Sequence, residues 1–280
     1  MIFPTGKKLD FTKPLVMGVV NVTPDSFSDG GLYLDQDKAV EHGLKLAGDG
    51  ADILDIGGES SRPGSDPVSL EQELERVVPV VERLARGTEI PISVDTTKSV
   101  VADKTLKAGA DIINDISAFR FDEKMAGIAA KSGSGVILMH MKGRPKDMQR
   151  GKIEYDDVVR DICSFFLERC KFAMDAGVGR SMLMIDPGIG FGKTLFHNLE
   201  IMKRLPEIVD LGFPVVVGTS RKSFLGKILD SPVRERLEGT LATVALSVFL
   251  GAGIVRVHDV AHAKKAALAA FAIAKPELYG

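Results

Sequence analysis

Leu15-Val16-Met17-Gly18-Val19-Val20-Asn21-Val22-Thr23-Pro24-Asp25-Ser26-Phe27-Ser28-Asp29-Gly30 is an uncharged apolar run that ends on an amide and passes directly into a polar loop. The first six residues read as a short buried strand. Pro24 cannot donate to a ladder, so the strand stops close to Asn21. Asn21 therefore stands at the carboxyl end of a strand. Read by itself, it serves equally well as a turn former bonding its own backbone.

Working outward, apolar runs of the same kind recur at Asp52 to Gly57, Ile90 to Val94, Asp111 to Asn114, Gly135 to Met139, Met182 to Ile185, Pro214 to Val217 and Ile254 to Val257, eight with the first. Segments of helical period lie between them. From Leu70 to Leu84, for instance, Leu70, Leu74, Val77, Val78, Val81 and Leu84 mark one face. Alternation of strand and helix requires parallel pairing. The first strand lacks the Gly-x-Gly-x-x-Gly turn of a dinucleotide fold. The expected architecture is thus α/β, a (β/α)8 TIM barrel forming one domain over residues 1–280. The preamble Met1 to Pro14, with Ile2-Phe3-Pro4 and Leu9-Asp10-Phe11 around Gly6-Lys7, is expected to fold as a short hairpin over the closed end. Ala47-Gly48-Asp49-Gly50-Ala51-Asp52, Lys107-Ala108-Gly109-Ala110-Asp111 and Asp175-Ala176-Gly177-Val178 read as one repeated helix-to-strand joint, on the face away from the chemistry.

The 280 residues are 45% hydrophobic and 26% charged, enough to bury a large core, and the formal charge of −2 argues against a nucleic-acid surface. Any anionic ligand must be held by local positive groups. Cys163 and Cys170 sit seven apart on a predicted helix, about 10 Å between backbones, too far to bridge. Gly239 to Val255 carries no charge, but Ser247 and Gly251-Ala252-Gly253 divide it into a buried helix, a glycine turn and a strand rather than a membrane span. No signal-peptide core precedes Pro14, so a cytoplasmic protein is expected.

The carboxyl ends of the predicted strands collect Asn21, Glu59, Asp95, Asn114, Met139 with His140, Asp186, Ser220 to Lys222, and Arg256 with His258. A closed barrel brings such residues together. Asp95, Asn114 and Asp186 supply acceptors, while Lys222, Arg256 and His258 supply donors and positive charge, a division that suits a flat heterocycle with two polar edges. Arg256 and His258, two apart, point to the same side and can hold an anion. The loops Thr23 to Gly31 and Glu59 to Gly64 have the small polar residues of lids over a reactive intermediate. Gly188-Ile189-Gly190-Phe191-Gly192-Lys193-Thr194 falls one residue short of a phosphate-binding loop, which needs four residues before its Gly-Lys.

Taken together, these motifs resemble the dihydropteroate synthases over the whole chain. Asn21 to Gly31 is similar to the family's first signature, and Asp55-Ile56-Gly57-Gly58-Glu59-Ser60 with Arg62-Pro63-Gly64 to its second. Further matches lie at Ser93 to Thr96, Asn114-Asp115, Leu138 to Met141, Asp186 to Lys193, Ser220 to Ser223 and Arg256 to Asp259. Ser61 departs from the family's more usual threonine but keeps a hydroxyl. The resemblance implies that 6-hydroxymethyl-7,8-dihydropterin pyrophosphate is joined to p-aminobenzoate, giving 7,8-dihydropteroate and pyrophosphate in folate synthesis. It also implies a Mg2+ requirement and a homodimer.

By position, the resemblance implies that Asp95, Asn114, Met139, Asp186, Lys222 and Arg256 bind the pterin. Asn21, Ser61, Arg62, Arg256 and His258 would take the pyrophosphate, with Asn21 on the metal. Phe27, Ser61, Arg62, Pro63, Phe191, Lys222 and Ser223 would shape the aminobenzoate site. Catalysis would fall to Asp95, Lys222, Asn21 and Arg256, the Asp95 carboxylate stabilising a cation left when the carbon–oxygen bond breaks before the amine attacks. Two alternatives share the pterin-gripping residues: a methyltetrahydrofolate-dependent corrinoid methyltransferase, which has no pyrophosphate to hold, and a pterin-binding homologue without activity. A barrel glycosidase using Glu59 with Asp95 or Asp186 is a third.

Overall fold

Short apolar runs that carry no charge are strands that bury both faces, and helices between them cover the outside. The computed structural model describes residues 1–23, 32–62, 64–149 and 151–280, and of 32–35 the backbone alone. Its strands are β1 (Leu15–Asn21), β2 (Ile53–Gly57), β3 (Ile92–Asp95), β4 (Ile112–Asp115), β5 (Gly135–Met139), β6 (Leu183–Asp186), β7 (Val216–Val217) and β8 (Ile254–Val257). Between them lie α1 (Leu32–Gly48), α2 (Leu70–Gly87), α3 (Ser99–Lys107), α4 (Met125–Ser132), α5 (Val158–Asp175), α6 (Leu195–Lys203), α7 (Leu205–Val209), α8 (Ser223–Leu229) and α9 (Leu237–Phe249), and α10 (Val260–Ala274) follows β8.

All neighbouring strands are parallel, in the order β6-β5-β4-β3-β2-β1-β8-β7. The last seam closes through a parallel bridge between Ile185 and Val215, with the Ile185 N–H donating to Pro214 O at 3.0 Å. The result is the expected (β/α)8 barrel. β7 is shorter than its apolar run because Pro214 has no N–H for the ladder and contributes only its carbonyl.

Side chains alternate along each strand, and this sorts the barrel interior into layers. Leu15, Met17, Ile53, Ile112, Ile137, Met184, Val216 and Ile254 form a buried apolar floor together with Phe3 and Leu9 of the preamble. The preamble is the anticipated hairpin, with Ile2 and Lys8 paired antiparallel and Phe3 N–H donating to Lys7 O at 3.0 Å. Two residues further along the same strands the interior turns polar: Asp55, Asn114, Asp186 and Arg256 follow Ile53, Ile112, Met184 and Ile254.

The helix-to-strand joints behave alike. Gly50, Gly109 and Gly177 have φ of 98°, 108° and 102°, the left-handed region that glycine enters without strain. The next amide returns to the helix, Ala110 N–H to Thr105 O at 2.9 Å being typical. Gly251, with φ 100°, makes a fourth such joint.

The expected apolar face of α2 packs on the core, Val77, Val80, Val81 and Leu84 buried and Leu70, Leu74 and Val78 half-buried against the same cluster, with Glu73 buried among them. Glu73 is drawn inward by an ion pair with Lys98. The helix read as buried, α9, turns Val244 and Val248 to the core and leaves Leu246 and Phe249 exposed. Cys163 and Cys170 are unbridged. Among the described residues no helix is long and apolar enough to cross a membrane.

Candidate active site

The carboxyl ends of the strands meet in register, Asn21 beside Gly57, Gly57 beside Asp95, Asp95 beside Asn114, and Met139 beside Asp186. β8 enters this ring with Arg256, whose Nε donates to Asp55 Oδ2 at 2.6 Å and whose Nη2 donates to Asp95 Oδ2 at 3.2 Å. Asn114 Nδ2 donates to the Asp55 oxygens at 3.2 and 3.4 Å. That commits the donor end of the amide and leaves its oxygen as the acceptor for a ligand. Asp55 is fully buried and occupies the hub of this network. In the sequence it stands within the second signature, with no role assigned to it.

Across the ring, Asp186 Oδ1 accepts the Gly188 N–H at 2.7 Å, which leaves its other oxygen free of that bond. Lys222 Nζ donates to Ile189 O and lies 5.0 Å from the centre of the Phe191 ring, a cation–π approach. Met139 packs with Ile116, Met141 and Met148, and Phe191 lies against the same patch, so one wall of the opening is apolar. The apolar wall and the two polar edges are what a flat heteroaromatic ring requires.

Charge at the rim is unevenly matched. Burial and the nearby Asp55 carboxylate push Asp95 up, to about 8, with Arg256 pulling the other way. Burial likewise raises Asp186 against the pull of Lys222. Lys222 is pushed down by burial, to about 8, against the pull of Asp186. Burial also works against the Arg256 cation, but Asp55 and Asp95 outweigh it and hold it above its ordinary value. Two groups of opposite sign that titrate close to neutrality in one cleft are a mark of a functional site.

His258 differs from expectation. Its Nδ1 is 3.0 Å from Ser220 Oγ, and burial followed by the charges of Arg256 and Arg221 pushes it down to about 3. It is a neutral imidazole rather than a positive charge, and it serves as a hydrogen-bonding group in a positive corner. Arg221 is held by Asp259 through Nη2 at 2.7 Å and Nε at 3.1 Å.

The remaining expected residues fall around the opening. Asn21 is half-buried at the end of β1, Ser61 half-buried, Arg62 exposed, and Ser223 exposed at the first turn of α8. The Arg62 charge is nonetheless felt at His258. Phe27 and Pro63 lie outside the described residues, as does the Thr23 to Gly31 loop beyond Thr23. Glu59 is engaged at the rim by Lys98, which also pairs with Glu73.

The failed phosphate-loop motif has a different use. Lys193 is buried, with Nζ 3.0 Å from His140 Nδ1, 3.2 Å from His140 O and 3.0 Å from Phe191 O. No motif reading assigned it a role. Among the described residues, no three His, Cys, Asp or Glu side chains gather to hold a metal ion. The Asn21 oxygen at the rim is a hard donor that suits Mg2+ if the rest of the shell comes from phosphate oxygens and water, the usual habit of that ion.

Residues 17–258 match the family model of the pterin binding enzymes. The chain is 50% identical to the dihydropteroate synthase of Bacillus subtilis over 248 residues, covering 89% of this chain and 84% of that one. Among solved structures, the dihydropteroate synthase of Yersinia pestis in complex with a sulfonamide drug superposes with a TM-score of 0.91 at 42% identity, covering 100% of this chain and 99% of the other. That of Xanthomonas albilineans with 4-aminobenzoic acid does so at 0.90 and 44%, covering 96% of each.

Proposed function

The chain belongs to the dihydropteroate synthase family of pterin-binding enzymes, and from that premise we propose how its own residues carry the condensation of 6-hydroxymethyl-7,8-dihydropterin pyrophosphate with p-aminobenzoate. Residues 1–280 act as one pterin-binding barrel, with residues 1–14 sealing the closed end. The observation that carries the reading is the arrangement of Asp186, Asn114 and Asp95 as acceptors on the same rim as Lys222 and Arg256.

In this reading the pteridine lies against Met139. Asp186 takes hydrogen bonds from its amidine-like edge, and the oxygen of Asn114 and the Lys222 ammonium meet its other polar atoms. Charge-assisted bonds of this kind contribute about 1.5–3 kcal/mol each. Arg256 covers the ring and, with Asn21, Ser61, Arg62 and His258, faces the diphosphate. Asn21 would hold Mg2+ at this corner, where the ion would supply positive charge against the diphosphate. Breaking the carbon–oxygen bond leaves a cation delocalised over the pterin, and the ionised Asp95 carboxylate stabilises it. Arg256 links Asp95 to the departing anion, so positive and negative charge separate along a path already lined with opposite charges.

The aminobenzoate is enclosed by Phe27, Ser61, Arg62, Pro63, Phe191 and Lys222, with its carboxylate at Ser223 and the first amides of α8. Ile228 and Leu229 on α8 and Leu246 and Phe249 on α9 are exposed apolar residues that a second copy would cover in the homodimer of this reading. Free thiols at Cys163 and Cys170 suit a reducing cytoplasm. The test is direct: pterin pyrophosphate, p-aminobenzoate and Mg2+ are mixed with the protein, and pyrophosphate release is followed. Release that depends on both organic substrates supports the reading; release without aminobenzoate, or none, refutes it.

A further inference from the structure

Lys193 is the last charged residue of the 187–194 loop, and its side chain folds back into the protein instead of reaching the opening. Three acceptor atoms surround its Nζ, His140 Nδ1, His140 O and Phe191 O, and burial pulls the ammonium well below its ordinary value. His140 is pushed down to about 2 by burial and by Lys193, so its imidazole is neutral, with Nδ1 turned to Lys193 Nζ. The ring is fixed from the other side by Phe165, edge-on with centroids 4.9 Å apart. The His140 N–H in turn donates to Asp186 O at 2.9 Å.

The loop between Asp186 and Lys193 is built for close approach at this point. Gly188 has φ 67°, and a Cβ there would sit 2.0 Å from His140 O and 3.4 Å from Lys193 Nζ. Gly188 N–H holds the Asp186 carboxylate, Ile189 O holds Lys222, and Phe191 forms the ring under Lys222. Every group through which this loop serves the pterin side of the site is therefore within a few residues of the lysine. The backbone of the same stretch is also held, by Gln149 Nε2 to Gly190 O at 2.7 Å and to Lys193 O at 3.4 Å, and by Tyr155 OH to Gly192 O at 2.9 Å.

We propose that Lys193 is a positioning residue for pterin binding, tying the loop after β6 to His140 at the end of β5 so that the Asp186 carboxylate is held in the orientation that grips the ring. The inference rests on the assignment of Asp186 to the pterin. A buried lysine whose only task was stability would lower the unfolding temperature and leave ligand contacts alone once the protein was folded. A positioning lysine acts through Asp186, so its removal matters only while Asp186 can still grip.

The experiment is a double-mutant cycle on the full chain, read by isothermal titration with pteroate and by thermal unfolding. Lys193→Met removes the donors at similar length. It is expected to fold with a lower unfolding temperature and to bind pteroate about tenfold more weakly, while adding less than about twofold in the Asp186→Asn background. Equal losses in both backgrounds, or unchanged affinity in Lys193→Met, overturn the proposal. If Lys193→Met does not fold, Lys193→Gln, which keeps a donor at the site, is carried through the same cycle and judged by the same outcomes. Wild-type affinity in Asp186→Asn alone refutes the reading of Asp186 itself, and the proposal with it.

Discussion

The floor of the barrel and its rim are made by the same strands, two residues apart, and they are opposites. At the floor, Ile53, Ile112, Met184 and Ile254 fill the interior with apolar volume that the preamble seals through Phe3 and Leu9. One layer up, Asp55, Asn114, Asp186 and Arg256 occupy the equivalent inward positions. The floor is stabilised simply by being dry. At the rim burial pushes Asp95 and Asp186 toward protonation, Asp95 also through repulsion from Asp55, compensated in part by Arg256 and Lys222. Folding free energy is thus concentrated at one end, and the other end holds an arrangement that a charged ligand completes.

This contrast can be broken most forcefully at Asp95. Asp95→Asn is expected to lower kcat by about three decades, the effect of one charge at about 4 Å and an effective dielectric near 20. Pterin affinity, by calorimetry, is expected to change far less. Equal losses in both would reduce Asp95 to a binding residue. Asp186→Asn is expected to reverse the pattern, weakening pterin binding by about 10–150-fold through the loss of charge-assisted bonds, with most of the loss appearing in KM for the pterin substrate.

Acid–base behaviour sharpens the same comparison. Asp95, raised to about 8, must ionise to act, and Lys222, lowered to about 8, must stay protonated. The kcat/KM profile for the pterin substrate is therefore expected to rise from pH 6 toward 8 and fall above it. Asp95→Asn should remove the rising limb.

The floor is expected to answer differently. Ile137→Val removes one buried methylene and should lower stability by about 0.5–1.5 kcal/mol in denaturant unfolding, with kcat and both KM values unchanged. A further effect on stability falls at Asp95. A carboxyl whose folded pKa lies above its unfolded value contributes stability at low pH, and that contribution is lost as pH rises through the folded value. Asp95→Asn should consequently raise the unfolding temperature at pH 8, and the gain should shrink toward pH 4.

Much of this was legible in the sequence because two periodicities carry it. Charge-free runs such as Leu15 to Val20 declare buried parallel strands, and the residue that ends each run is delivered to the rim. Asn114 and Asp186 could be found from position alone. Asp55 was legible by the same alternation, being a carboxylate two residues after Ile53 inside an apolar strand, but attention to strand ends alone passes over it. His258 reads as a positive charge in a list of residues; its neutrality is a property of burial beside Arg256, which local sequence does not encode. Lys193 resembles a phosphate ligand because it follows Gly192, and only the packing of Gly188 against His140 reveals that it turns inward. The second face of α9 is hidden from the sequence because Leu246 and Phe249 are as apolar as core residues, although the barrel covers only the opposite side of the helix.

The central claim is that the polar layer above the floor receives a pteridine and its diphosphate together. A crystal structure with the pterin pyrophosphate and Mg2+ bound tests it most directly. The account predicts the amidine-like edge of the ring within about 2.7–3.1 Å of the Asp186 carboxylate and the diphosphate beside Arg256 and His258. A ring bound away from Asp186, or a diphosphate on the far side of the barrel from Arg256, would contradict it.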